Sequence, residues 1–144
     1  MKQEFWNELQ HMRKQYAHML EQASGAWNMT RAEMDVLMFL ANNPTLDRAV
    51  DIVELRGLTK SHVSIAVKAL CDRGFLTTQQ DEKDHRVIRL KPTEAAAEVI
   101  EAGRAAQCTY YKELFGCFTR EEIQQWQYLQ KKLLSNMKKL GEIE

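Results

Sequence analysis

Apolar residues recur at steps of three and four through most of this chain, the spacing that puts them on one face of an α-helix. Phe5, Leu9, Met12, Tyr16, Met19 and Ala23 form such a stripe and predict a helix over residues 4–23, broken by Ser24-Gly25-Ala26-Trp27-Asn28. Thr30 with Glu33 is a capping box that opens a second helix ending at Asn42-Asn43-Pro44-Thr45. Its apolar residues Met34, Val36, Leu37, Phe39 and Leu40 cover most of the circumference, so this helix is expected at the centre. A short third helix spans residues 47–56, with Gly57 just past its end. Thr59 caps a fourth, whose apolar face is Val63, Ala66, Val67 and Leu70 and which Gly74 ends.

The helical period then fails. Phe75–Gln80 and Arg86–Lys91 read as two short strands joined by a charged turn at residues 81–85, and Pro92 stops the second. A lone two-stranded hairpin is marginal in water, so it needs a brace from the helices around it. Thr93 is expected to cap a long fifth helix over residues 93–115. Thr119 and Glu122 make a second capping box for a sixth helix running to about Leu140. On that last helix Ile123, Trp126, Gln130, Leu133, Met137 and Leu140 form a heptad-like seam with one polar intruder, and Leu129 and Leu134 add a second apolar edge. Two apolar edges on one helix predict packing against a second copy of the chain. The fold class is therefore mainly α with a small β-hairpin.

Length and composition fit one domain: 144 residues, 44% hydrophobic and 28% charged, with few helix breakers at six Gly and two Pro. No apolar run reaches membrane-spanning length and residues 1–15 lack a signal-peptide core, so a soluble, cytoplasmic protein is expected. Three cysteines do not make a disulfide framework. Net charge is zero but unevenly spread. Residues 59–91 hold seven basic and four acidic residues, the only positive block along the chain. A local positive field is what phosphate binding requires.

That block contains the fourth helix and the hairpin, and the third helix leads into it through a tight turn at Gly57-Leu58. A helix pair of this kind can lay its second helix in the DNA major groove. The fourth helix leaves Lys60, Ser61, His62, Ser64, Ile65 and Lys68 outside its core face, and the first acid is Asp72 near its far end. An acid-free leading face suits phosphates and base edges. A hairpin packed beside the pair becomes a wing that reaches toward a duplex. Its candidate contacts are Lys83, Asp84, His85 and Arg86.

In this order and spacing, the segments 58–76 and 81–96 resemble the winged-helix core of the MarR family of bacterial transcription regulators. Asp84-His85-Arg86 matches that family's Asp-x-Arg wing signature, and Leu90 to Thr93 matches its lead into a long helix. The resemblance spans essentially the whole chain and implies a single domain over 1–144, with a DNA-binding lobe over 30–92. Residues 1–25 and 93–144 would form the dimerisation helices. It further implies a homodimer on a pseudo-palindromic double-stranded operator, acting as a repressor, with the fourth helix in the major groove. Arg86 would enter the minor groove, oriented by Asp84. The chain departs from the pattern in having no arginine at Thr77 or Thr78 and in carrying Ala95-Ala96 where many members have glycine.

Family members often release DNA on binding a small aromatic or amphipathic molecule; candidate pocket residues here are Trp6, Tyr16, Trp27 and Met38. Side chains of this kind at helical spacing are more often core than pocket. A thiol-based redox sensor is an alternative: Cys108 and Cys117 stand roughly 13 Å apart along one helix and cannot bond to each other, which leaves intersubunit bonding, and Cys71 lies near the end of the fourth helix. His11, His18, His62 and His85 are scattered, and no Cys-His cluster has zinc spacing, so no metal or other cofactor is expected. No phosphate loop, nucleophile elbow or carboxylate pair points to an enzyme, and no catalytic residue is assigned. A winged-helix module that binds protein is the other alternative, for which an acidic or apolar fourth-helix face would be the signal.

Overall fold

The computed structural model describes residues 2–141. In chain order these form α1 (Lys2–Ala23), a 3-10 turn (Gly25–Trp27), α2 (Arg31–Asn42), α3 (Ala49–Arg56), α4 (Lys60–Asp72), β1 (Leu76–Gln80), β2 (Ile88–Pro92), a second 3-10 turn (Glu94–Ala96), α5 (Ala97–Phe115) and α6 (Arg120–Gly141). The chain divides between Cys108 and Thr109 into two compact units.

The near-continuous apolar sequence of α2 has its expected consequence. Met34, Val36, Leu37, Met38 and Leu40 are buried, and α1, α3, α4 and β2 all pack on this helix. Each such side chain contributes about 1.5–3 kcal/mol by leaving water, an upper estimate because the unfolded chain already hides part of it. The α5 glycine Gly103 has no room for a side chain: a Cβ there would collide with the sulfur of Met38 and the terminal methyl of Met34. Val63, Ala66 and Leu70 of α4, Ile52 of α3, and Leu76 and Leu90 of the hairpin complete the core.

Side chains at the helix ends fix how the elements meet. The Thr30 hydroxyl accepts from the backbone N–H of Glu33 at 3.2 Å. The Glu33 carboxylate accepts from Arg73 at 3.3 Å, and Arg73 also donates to the carbonyls of Trp27 and Asn28. This ties the end of α4 to the start of α2. The backbone and guanidinium of Arg48 both donate to Asp51, fastening the start of α3. Gly57 ends α3 at φ +68°, a left-handed conformation that favours glycine. The Thr59 hydroxyl accepts from His62 N–H at 3.1 Å and starts α4.

The hairpin is antiparallel, with Leu76 opposite Pro92, Thr78 opposite Leu90 and Gln80 opposite Ile88. Its brace is twofold. Leu76 and Leu90 enter the core, and the Leu90 N–H donates to the carbonyl of Asp47 at 2.7 Å. The turn is longer than the sequence suggests, occupying residues 81–87 between the strands, and the Asp81 N–H donates to the Val87 carbonyl across its base.

Two expectations are corrected. Thr93 does not cap the fifth helix with its side chain. Its hydroxyl donates to the Gly74 carbonyl and its N–H to the Phe75 carbonyl, so α5 starts later, after a 3-10 turn. On α1 the buried positions within this unit are Ala17 and Leu20, with Tyr16 and Met19 partly covered, while Phe5 and Met12 of the predicted stripe are exposed.

In the second unit Phe115 gathers the rings of Tyr111, Phe118 and Trp126 at centroid distances of 6.2, 5.2 and 6.3 Å. Thr119 and Glu122 form the complete capping box, each side chain accepting from the other's backbone N–H. Along α6 no residue is buried, and Trp126, Leu129, Leu133, Leu134, Met137 and Leu140 are all exposed.

Candidate nucleic-acid interface

Two adjacent elements carry the candidate site, α4 and the loop of the hairpin. Burial of Val63, Ala66 and Leu70 sets the rotation of α4 and turns Lys60, Ser61, His62, Ser64, Ile65 and Lys68 outward, all six exposed. Ile65 stands out as an exposed aliphatic side chain on this polar surface. Lys68 is committed to Asp72, one turn on, at 2.8 Å, and that carboxylate holds the ammonium more firmly protonated than usual. The far end of the helix is therefore partly neutralised, and the free positive charge lies at Lys60.

In the loop, Lys83, His85 and Arg86 are exposed and Asp84 is half-buried. The Arg86 guanidinium donates through Nε and Nη2 to the two oxygens of Asp84 at 3.1 and 3.3 Å, and the Arg86 backbone N–H donates to the same carboxylate at 3.1 Å. These bonds hold the Asp84 carboxyl below its ordinary range. The arginine is aimed by its neighbour yet its side chain stays 91% exposed, so its remaining donors are available.

Sequence reasoning missed the support beneath this pair. Asp81 accepts from the backbone N–H groups of Lys83 and Asp84 at 3.2 and 3.1 Å, an Asx-type turn that shapes the loop. It also accepts from Arg89 Nε at 2.9 Å, and Arg89 Nη1 reaches Asp47, ahead of α3, at 2.7 Å. The Arg89 bond is the main reason the Asp81 carboxyl is pulled below its usual range. The aspartate pair spaced by three in Asp81-Glu82-Lys83-Asp84 is a turn signal that could have revealed the first half. Nothing local to Arg89 announces Asp47.

The four candidate pocket residues lie in different settings. Met38 is fully buried in the core, Trp27 and Tyr16 pack against the core's edge, and Trp6 is exposed on α1. The Tyr16 hydroxyl accepts from Gln107 at 2.6 Å. A cleft of about 610 Å³ lies between the end of α2, the hairpin and the start of α5, lined by none of the four. Leu40, Pro44, Leu90 and Ile100 form its apolar wall, with Arg89, Lys91 and Arg104 among its polar lining. Of the cysteines, Cys71 is half-buried and burial pushes its thiol up, away from the reactive thiolate, while Cys108 and Cys117 are exposed and do not share a helix as expected, because α5 ends at Phe115, before Cys117.

The geometry has close counterparts. The MarR family's sequence profile matches residues 27–87, from the 3-10 turn before α2 through the wing loop. The uncharacterized HTH-type transcriptional regulator YpoP of Bacillus subtilis (strain 168) is 24% identical over 95 residues, covering 66% of this chain and 67% of that protein. MepR of S. aureus, solved as a DNA complex, superposes with a TM-score of 0.74 at 19% identity, over 95% of this chain and 96% of that one. BpsR of Bordetella bronchiseptica, whose DNA binding is regulated by 6-hydroxynicotinic acid, gives a TM-score of 0.68 at 19% identity, over 90% of this chain and 98% of that one. At these identities the structural likeness speaks for the fold: a winged helix-turn-helix.

Proposed function

We propose that this chain is a winged helix-turn-helix transcription regulator of the MarR family, whose profile matches residues 27–87, and that it is a homodimeric DNA-binding repressor, acting in the cytoplasm and released by a small ligand. In this reading α4 enters the major groove of a double-stranded, pseudo-palindromic operator, and the wing places Arg86 in the adjacent minor groove. The carrying observation is that Arg86 is almost fully exposed, yet fixed by a forked pair with Asp84 at the tip of a braced hairpin. An isolated surface pair of this kind contributes little to stability. A narrow minor groove concentrates negative potential and attracts an arginine presented this way.

Lys60, Ser61, His62, Ser64, Ile65 and Lys68 would meet the major groove and its phosphates, and Lys83 and His85 would flank Arg86 on the wing. The winged-helix lobe over residues 30–92 would hold the operator, and helices from residues 1–25 and 93–144 would join the two copies. The uncovered apolar seam of α6 supports that second copy. For the effector, a small aromatic or amphipathic molecule, the cleft beside the hairpin offers an apolar wall with cationic groups. Nothing in this reading calls for a catalytic group, a metal or a membrane.

The test is selection of bound duplexes from a random pool, with wild type and Arg86→Ala in parallel. A palindromic consensus that the variant binds at least ten-fold more weakly is expected, in line with the loss of one strong groove contact per subunit, about 1–3 kcal/mol each. Absence of enrichment at low salt, from protein shown to be free of bound small molecules, would overturn the reading.

A further inference from the structure

Resting on the DNA-binding reading above, we propose that Ile65 determines part of the operator sequence by packing on the C5-methyl group of a thymine. The assignment starts from the rotation of α4. Successive residues turn by roughly 100° around a helix, so the direction opposite the core is fixed once the buried positions are known. With Val63, Ala66 and Leu70 buried, the outermost ridge runs through Ser61, Ile65, Lys68 and Asp72. Lys68 and Asp72 pair with each other at 2.8 Å. That leaves Ser61 and Ile65 at the crown of the first two turns, where a groove-bound helix meets base edges.

Their chemistry differs. A serine hydroxyl donates and accepts, and so tolerates several bases. Ile65 can neither donate nor accept, and it is 66% exposed with the small Ser61 and Ser64 on the same side of the helix. Most of its surface is open to solvent, where a base could meet it. The apolar feature that standard base pairs present in the major groove is the thymine methyl. A β-branched residue also holds few rotamers, so Ile65 meets that methyl with little loss of side-chain freedom. Opposite G or C in that place it would cover hydrogen-bonding groups and leave them unsatisfied. An A·T pair is therefore expected at a fixed place in each half-site.

The experiment uses the full-length protein and the duplex obtained by selection. Each thymine is replaced in turn by deoxyuridine, which removes the methyl and keeps every hydrogen-bonding group. Burying one methyl corresponds to roughly a four-fold change in affinity. Wild type should lose about that factor at one thymine per half-site and little elsewhere. Ile65→Ala should bind the thymine duplex several-fold more weakly and lose nothing further with deoxyuridine at that position. Ile65 is exposed and alanine is the stronger helix former, so the variant should fold, and its circular dichroism checks this. If Ile65→Ala keeps the full deoxyuridine penalty, or wild type shows no methyl-dependent thymine, the assignment is wrong while DNA binding stands. If wild type binds no duplex at all, the functional reading fails and takes this assignment with it; capture of an apolar peptide by Ile65 would then explain its exposure.

Discussion

At the scale of single residues, the molecule relies on arginine–aspartate forks. Asp51 is buried and takes three bonds from Arg48, which depress its carboxyl below the ordinary value. A carboxyl lowered in the folded state contributes stability that is full above its unfolded pKa, near 3.8, and is lost as pH falls through the lower folded value. Asp51→Ala should cost about 1 kcal/mol at neutral pH, as loss of a helix-start bond does, and should flatten the acid limb of the stability curve below about pH 4. Chemical denaturation at pH 7 and pH 3 checks both. The Asp84–Arg86 fork follows the same sign, since the Asp84 carboxyl is also lowered. Wing geometry should therefore be constant from pH 8 down to about 5, and Asp84→Asn should weaken duplex binding without changing the unfolding midpoint. Equal losses of stability and binding would mean that the fork only closes the turn. Local features such as these were largely legible. Thr59, Gly57 and the Asp84-x-Arg86 pattern each act within a few residues, where spacing and geometry are nearly the same thing.

At the scale of elements, the hairpin owes its orientation to partners that spacing could not reveal. Arg89 joins Asp81 at the base of the loop to Asp47, 42 residues away in sequence. Only the packing of β2 beside the start of α3 brings these groups together. Arg89→Gln should leave the core intact, yet free the loop over residues 81–87. Faster amide exchange there and a several-fold loss of duplex affinity are expected, with the Asp84–Arg86 contact itself unaltered in sequence. Unchanged exchange would show that the Leu90–Asp47 backbone bond and the buried Leu76 and Leu90 suffice. The contact of α5 with α2 carries the same lesson. By sequence Met38 is a pocket candidate of a kind that is more often core, and its close packing against Gly103, which has no side chain, puts it in the core. Gly103→Ala should destabilise by about 1–3 kcal/mol, as overpacking does, because both methionines are enclosed and must shift. Thermal unfolding measures it.

At the scale of the molecule, zero net charge and an amphipathic α6 with an exposed apolar stripe set what the chain can do alone. The positive block of residues 59–91 is thinned further by internal pairing: Lys68 faces Asp72, Arg73 faces Glu33, and Arg89 faces two aspartates. Few cations remain for phosphates, so one copy should bind weakly and strong binding should require two. The exposed seam of α6, Trp126, Leu133, Met137 and Leu140, offers the apolar area for that pairing. Leu133→Glu places a charge in the middle of the seam, where burial in a second copy would strip its hydration. If the wild type is a dimer as proposed, sedimentation should show the variant as a monomer at the same concentration. Its circular dichroism should hardly change, because Leu133 is 53% exposed within one chain. Operator affinity should fall by roughly 100-fold or more, since the second half-site no longer benefits from being tethered to the first. Affinity for a single half-site should stay the same. A variant that remains dimeric would move the interface off this seam. A monomer with full operator affinity would mean that one winged helix suffices, and that the pairing of its charges costs it less than expected.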